Sequence, residues 1–280
     1  NKELYKKILN ERLRIIKANN IPLIVQDSRE YNPYAQHCQK IKPDVIIHLA
    51  AVSHSNKSNK DPHTTFDNSL RTLENTLDIA KLHKTQVIYL SSSMVYGDFK
   101  SEKVSETEHC DPIGIYGNLK LAGEMIVKSY GHVFGLPYTI IRPSALYGER
   151  CVSRRVGQIF IESILSKLPI EINGSGEEKL DFTYIDDLIQ GITKCIINPK
   201  AFNQIFNLTF GDSQPINKLI EILKDEFGEF KVNYKPKEKL TPSRGTLDIS
   251  KAKKLLDFDP SYPLKTGYRK YIKWYKTFGK

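Results

Sequence analysis

No glycine occurs before Gly97, although the 280-residue chain holds 16 of them. A backbone that turns tightly against a phosphate needs glycines just before a helix, so the first third of the chain lacks the residues for such a turn. Cysteine is sparse. Cys38, Cys110, Cys151 and Cys195 show no C-x-x-C spacing. That argues against a zinc site or any other metal site, and against a disulfide framework; it points to a reducing, cytoplasmic setting. No apolar run approaches the length of a membrane span, and the start has no signal-peptide pattern. Methionine occurs only as Met94 and Met125, and the first residue is Asn1. The formal charge is +10, yet no dense basic run with interleaved aromatics is present. Spread lysines disfavour a nucleic-acid surface and leave open an anionic small ligand.

What is present is an ordinary globular composition, 40% hydrophobic and 26% charged. Residues 2–18 repeat apolar positions at helical spacing. The run Ile21–Val25, ending at Asp27, reads as a buried strand, and Pro33 opens a short helix. Residues 44–51, 86–90 and 138–142 are continuous apolar runs. Helical patterns separate them over about 62–83 and 113–134. Unbroken apolar strands alternating with helices predict an α/β, doubly wound parallel sheet buried on both faces. Further helices are expected over 154–167, 185–197, 215–228, 250–256 and 264–278, with strands near 182–185 and 204–208. The division expected is 1–150 for the sheet domain, rejoined by parts of 180–210, and 151–280 for a smaller substrate lobe.

In such sheets ligands bind at the carboxyl ends of the strands. Three of those ends are polar: His48–Ala51, Ser91–Ser93 and Arg142–Ser144. The last ordered helix of the first half carries Tyr116 and Lys120, four apart and so on one face. A cation beside a phenol lowers its pKa and fits it for proton transfer near neutral pH. His48, inside an apolar run, reads as a core histidine rather than a ligand.

Taken in order, these pieces resemble the extended short-chain dehydrogenase/reductase family, in particular its NAD-dependent nucleotide-sugar epimerases and dehydratases. The residues that carry the resemblance are His48-Leu-Ala-Ala51, Asn68, Ser91-Ser-Ser-Met-Val-Tyr-Gly97, Tyr116-Gly-Asn-Leu-Lys120 with Glu124, and Arg142-Pro-Ser-Ala-Leu-Tyr-Gly148. Asp181-Phe-Thr-Tyr-Ile-Asp-Asp187 and Asp248-Ile-Ser-Lys-Ala-Lys253 complete the set. The resemblance implies a Rossmann-like sheet with NAD as cofactor and a nucleotide-diphosphate sugar, by default a UDP-sugar, as substrate. It implies Tyr116 as acid/base, Ser92 as the hydroxyl on the reacting oxygen, and Lys120 as the cation that tunes Tyr116 and holds the nicotinamide ribose. Asp27, Ser28, Leu49, Ala50, Ala51, Asn68, Ser91 and Pro143 are its implied cofactor contacts. Ser93, Ser144, Arg154, Arg155 and Arg244 are the candidate substrate contacts. Asp181, Tyr184 and Asp186 read as structural.

The chain departs from the family in three places. The glycine-rich loop is absent, so the expectation is an N-terminally truncated sheet that binds NAD poorly and exposes an apolar edge. Leu180 stands where an arginine usually grips a phosphate; Arg154, Arg155, Lys179 or Arg244 are the candidates to replace it. Ser93 and Met94 stand where the dehydratases carry Asp and Glu. Met cannot abstract a proton, so a 4-epimerase is expected. A reductase, decarboxylase or dehydratase of the same family, or a silent binding protein on the same fold, is the alternative. Gly245, three before Asp248, is expected to leave room for an N-acetylated sugar. The helices at 62–83 and 113–134 are the candidate homodimer surface.

Overall fold

The computed structural model describes residues 2–238 and 240–278. Its central sheet has four parallel strands, β1 (Val45–His48), β2 (Gln86–Leu90), β3 (Tyr138–Arg142) and β4 (Gln204–Asn207). They lie side by side in sequence order. β2 and β3 are buried at every position, which is why their sequences are continuously apolar. Val87, Tyr89, Tyr138 and Ile140 face Leu73 and Leu77 of the Thr72–His83 helix and Val127 of the Gly114–Phe134 helix. Ile88, Leu90, Ile141 and Phe206 face the other way. They meet Leu188 and Cys195 of the Ile185–Ile197 helix and Ala252 and Leu256 of the Ser250–Leu256 helix. Helices therefore cover both faces, as the unbroken strands require.

The helix expected over 62–83 is continuous but changes winding. Pro62–Phe66 is α-helical, Asp67–Arg71 forms a π turn, and Thr72–His83 returns to α. Asp61 caps its start, with Oδ1 accepting from Thr64 N at 3.1 Å.

A second core gathers aromatics. Phe160, Phe182, Tyr184, Tyr268, Tyr271 and Tyr275 pack together between the Val156–Leu165 and Leu264–Phe278 helices. A parallel strand pair, Ile170–Asn173 with Val232–Lys235, flanks it. The helix Lys2–Ala18 leans on this second core rather than on the sheet. Leu4 packs against it, and the Tyr5 hydroxyl donates to Glu162 at 3.0 Å.

One expected strand does not form. Residues 21–25 take no regular structure and have no ladder partner among the described residues, and Leu23 and Val25 are 61% and 95% exposed. β-branched residues favour a pleated strand only where a neighbour takes up the backbone hydrogen bonds. Nothing among the described residues pairs with the outer side of β1 either, where Ile47 and Leu49 are exposed. Among the described residues no helix is long and apolar enough to cross a membrane.

Candidate active site

The site begins with how the Gly114–Phe134 helix reaches the sheet. A Cβ at position 117 would lie 2.8 Å from the Met94 carbonyl oxygen and 2.9 Å from Pro112 Cβ. Only glycine allows that approach, and it brings the neighbouring Tyr116 against the strand end. The serine run is held in turn by β3. Ser91 N donates to Ile141 O at 2.8 Å, and Ser93 N donates to Pro143 O at 2.9 Å. Ser92 caps the short 3₁₀ turn Ser93–Tyr96, its Oγ accepting from Met94 N at 3.2 Å.

Ser92 and Tyr116 border the same cleft, and the Ser92 hydroxyl lies close enough to act on the Tyr116 phenol. Burial raises the Tyr116 pKa. The Ser92 hydroxyl and the guanidiniums of Arg155 and Arg244 pull the other way. Lys120 is one turn on and buried, and burial pulls its pKa down to about 8. Its ammonium donates to the Leu90 carbonyl at 2.5 Å and lies 5.0 Å from the centre of the Tyr89 ring. The charge facing Tyr116 therefore comes from the two arginines, whereas the sequence spacing suggested Lys120.

Ser92, Tyr116 and the two arginines line a cleft of about 770 Å³ between the sheet's strand ends and the second core; Lys120 is not on its wall. Ser91, Ser92, Ser93, Tyr116, Pro143, Ser144, Arg155 and Arg244 all border it. So do Lys179 and Leu180, and Ser53 and Asn56, the last two unmarked in the sequence reading. Arg155 Nη2 donates to Ser53 O at 3.0 Å. Arg244 Nη2 donates to Ser144 Oγ at 2.7 Å and to Ser93 Oγ at 3.1 Å. Nothing in the local sequence signals that last approach, which spans 100 and 151 residues of chain.

Other expected contacts fall elsewhere. Arg154 is exposed with a left-handed backbone (φ 52°) and lies outside the cleft wall. Ser91 Oγ is committed to Glu124. Asn68 is half-buried in the π turn and donates to Thr64 O at 2.8 Å. Asp27 is exposed and chelated by Arg29, which holds its carboxyl down to about 2. Ser28 offers its carbonyl to Asn75 at 2.9 Å. Leu49, 67% exposed, and Ala50 and Ala51 follow β1 on its open side. His48 is buried, with Nδ1 3.1 Å from Thr76 Oγ1. Burial and the nearby Lys120 charge lower its pKa to about 4, so it is neutral. Gly245 does not gate the cleft; a Cβ there would face the Phe99 ring at 3.6 Å. Asp181 is fully buried, accepting from Thr209 Oγ1, Gly211 N and Leu247 N at 3.0–3.1 Å. Asp186 pairs with Lys270 at 2.9 Å.

The sequence comparison agrees with the parallel-sheet fold. Residues 9–209 match the NAD dependent epimerase/dehydratase family. The chain belongs to this family. It is 33% identical over 227 residues to an uncharacterised UDP-glucose epimerase of Bacillus subtilis, covering 80% of this chain and 72% of that protein. It is 30% identical over 234 residues to the UDP-glucuronate 4-epimerase of Thermodesulfobacterium geofontis, covering 82% and 72%. The crystal structure of the Bacillus cereus UDP-glucuronic acid 4-epimerase with UDP-glucuronic acid and NAD superposes with a TM-score of 0.87 at 29% identity. That match covers 93% of this chain and 84% of the other.

NAD is the cofactor this family is defined by. The residues present fit its nicotinamide-ribose end. Lys120 has three ammonium donors and one hydrogen bond, so ribose hydroxyls are partners of the kind it lacks. Pro143 borders the cleft beside Ser92 and Tyr116, where the ring would pack. At the pyrophosphate end, the residues before Gly97 contain no glycine for a tight turn. Among the described residues no group of three or more His, Cys, Asp or Glu side chains is arranged to hold a metal.

Proposed function

We propose that this epimerase inverts C4 of a UDP-sugar, with Tyr116, Ser92 and Lys120 as its working residues. The observation that carries the reading is that Tyr116, Ser92, Arg155 and Arg244 border one cleft at the ends of the parallel strands. A phenol so placed can take the proton of a sugar hydroxyl, helped by the positive charge facing it. Ser92 then donates to the oxygen as it becomes a carbonyl, and Tyr116 returns the proton to the inverted hydroxyl. NAD, when bound, would supply the redox chemistry as carrier of the C4 hydride. Lys120 would hold the ribose hydroxyls with the ammonium donors it does not give to Leu90. Arg155, Lys179 and Lys237, which also border the cleft, are the partners for the diphosphate, taking the place of the arginine that Leu180 replaces.

Ser93 and Met94 favour this reaction over dehydration. The Met94 thioether lies 3.5 Å from Arg244 Nη1 and offers no base at the sugar. The test is incubation of the protein and NAD with UDP-glucose or UDP-glucuronate, followed by chromatographic separation of the C4 epimers. Conversion without net NADH formation is expected. Tyr116→Phe should slow it by about 10²–10⁴-fold. Salt-sensitive RNA binding without turnover would instead favour a silent binding protein.

The same reading includes a cytoplasmic homodimer through the 62–83 and 114–134 helices. Phe66 and Met125, 53% and 60% exposed, lie on those two helices. Exposed apolar side chains on adjoining helices suit a bundle with a second copy.

A further inference from the structure

Two guanidiniums, Arg155 and Arg244, act on Tyr116, and Arg244 has no carboxylate among its hydrogen-bond partners. A guanidinium has five N–H donors and is always charged near neutral pH. Arg244 spends its donors on two serine hydroxyls and a thioether, all neutral. Its Nε is buried with no partner at all. The carboxylate whose field it feels is Asp181. Both Asp181 oxygens are already taken: Oδ1 by Gly211 N, and Oδ2 by Thr209 Oγ1 and Leu247 N. Arg244 is half-buried and has no carboxylate hydrogen-bonded to it, and a cation so placed is suited to an anion brought by a ligand.

Its position says which anion. Arg244 is held by Ser93 and Ser144, just past the ends of β2 and β3, and Tyr116 lies in its field. It therefore stands at the reacting end of the cleft. The diphosphate has other cations: Lys179 and Lys237 line the part of the cleft built by the second core. Resting on the epimerase reading above, we propose that Arg244 receives a carboxylate carried by the sugar ring itself. The preferred substrate is then a nucleoside-diphosphate hexuronate rather than a neutral hexose. Ser93 and Ser144 act as positioning residues that fix the plane of the guanidinium, so that its free edge meets the carboxylate.

Calorimetric titration of the full chain with UDP, UDP-glucose and UDP-glucuronate tests this without relying on turnover. UDP-glucuronate should bind at least about tenfold tighter than UDP-glucose, as expected for a charge-assisted contact in a buried site. Arg244→Met should erase that preference while UDP affinity changes less than about twofold. Ser144→Ala leaves the charge in place but removes a brace. It should reduce the preference severalfold, and it carries the test if Arg244→Met unfolds. Equal affinity of the wild-type chain for the two sugars, or no binding of either, would overturn the inference. So would a parallel loss of UDP affinity in Arg244→Met, which would place the guanidinium on the diphosphate. Selective uronate binding without C4 inversion would count against the epimerase reading and leave Arg244's role intact. Inversion of both sugars with equal kcat/KM and equal affinity would do the reverse.

Discussion

Arg142 grips Glu124 with two nitrogens, Nε to Oε1 at 2.9 Å and Nη2 to Oε2 at 2.6 Å. The same Oε1 accepts the Ser91 hydroxyl at 2.5 Å. One buried carboxylate thus ties the end of β2, the end of β3 and the helix that carries Tyr116 and Lys120. Glu124 lies one turn beyond Lys120, so the pair also fixes that helix in rotation. Breaking a buried ion pair leaves an uncompensated charge. Glu124→Gln should therefore lower stability by about 3–5 kcal/mol in urea unfolding. The double substitution Glu124→Leu with Arg142→Met should recover most of it, and a single-variant loss below about 1 kcal/mol would contradict the anchoring role.

Lys120 sets a pH dependence. Its folded pKa, about 8, lies below the unfolded value near 10.4, so between them the unfolded chain binds more protons. Stability from this group should rise as pH climbs from about 8 towards 10, by up to roughly 3 kcal/mol. Lys120→Met should lack that rise, measured as the change in urea midpoint between about pH 7 and about pH 9.5, the first about a unit below the folded pKa and the second about a unit below the unfolded one. An unchanged slope in the variant would mean that another group titrates there.

Asp181 gives the opposite slope. Burial, the largest cause, lifts its pKa to about 6, above the unfolded value near 3.9, despite three hydrogen bonds that favour the carboxylate. The folded state binds the extra proton in that window, so stability from Asp181 should fall as pH rises from about 4 to 6. Asp181→Asn should flatten this segment of the stability curve. It should also cost about 1–3 kcal/mol at pH 7, because the amide offers one acceptor oxygen to the donors that two now serve.

For the proposed dimer, Phe66→Asp combined with Met125→Asp should leave the fold intact and shift the protein to monomer in light scattering. The two side chains are more than half exposed in the single chain, so folding itself should change by less than about 1 kcal/mol. A wild-type chain already monomeric at high concentration would rule the surface out.

Much of the molecule was legible because its signals are local. The apolar runs at 86–90 and 138–142 could only be strands buried on both faces, and the Tyr116–Lys120 spacing needed only a helix. The strand Ile170–Asn173 was not anticipated, because four alternating residues are a weak signal and their parallel partner lies 62 residues on, at 232–235. The run at 21–25 misled because propensity says nothing about whether a neighbouring strand is there to take the hydrogen bonds.

By itself the sequence determined the sheet and the family, since strands and motifs are read from short runs taken in order, and it named Ser92, Tyr116 and Lys120 as candidates. Tertiary structure alone decided where the charges point. It turned Lys120 to the Leu90 carbonyl, locked Arg142 onto Glu124, and carried Arg244 across 151 residues of chain to Ser93. A formal charge is written in the sequence. Its partner, its burial and hence its pKa follow from which distant segments the fold packs against it.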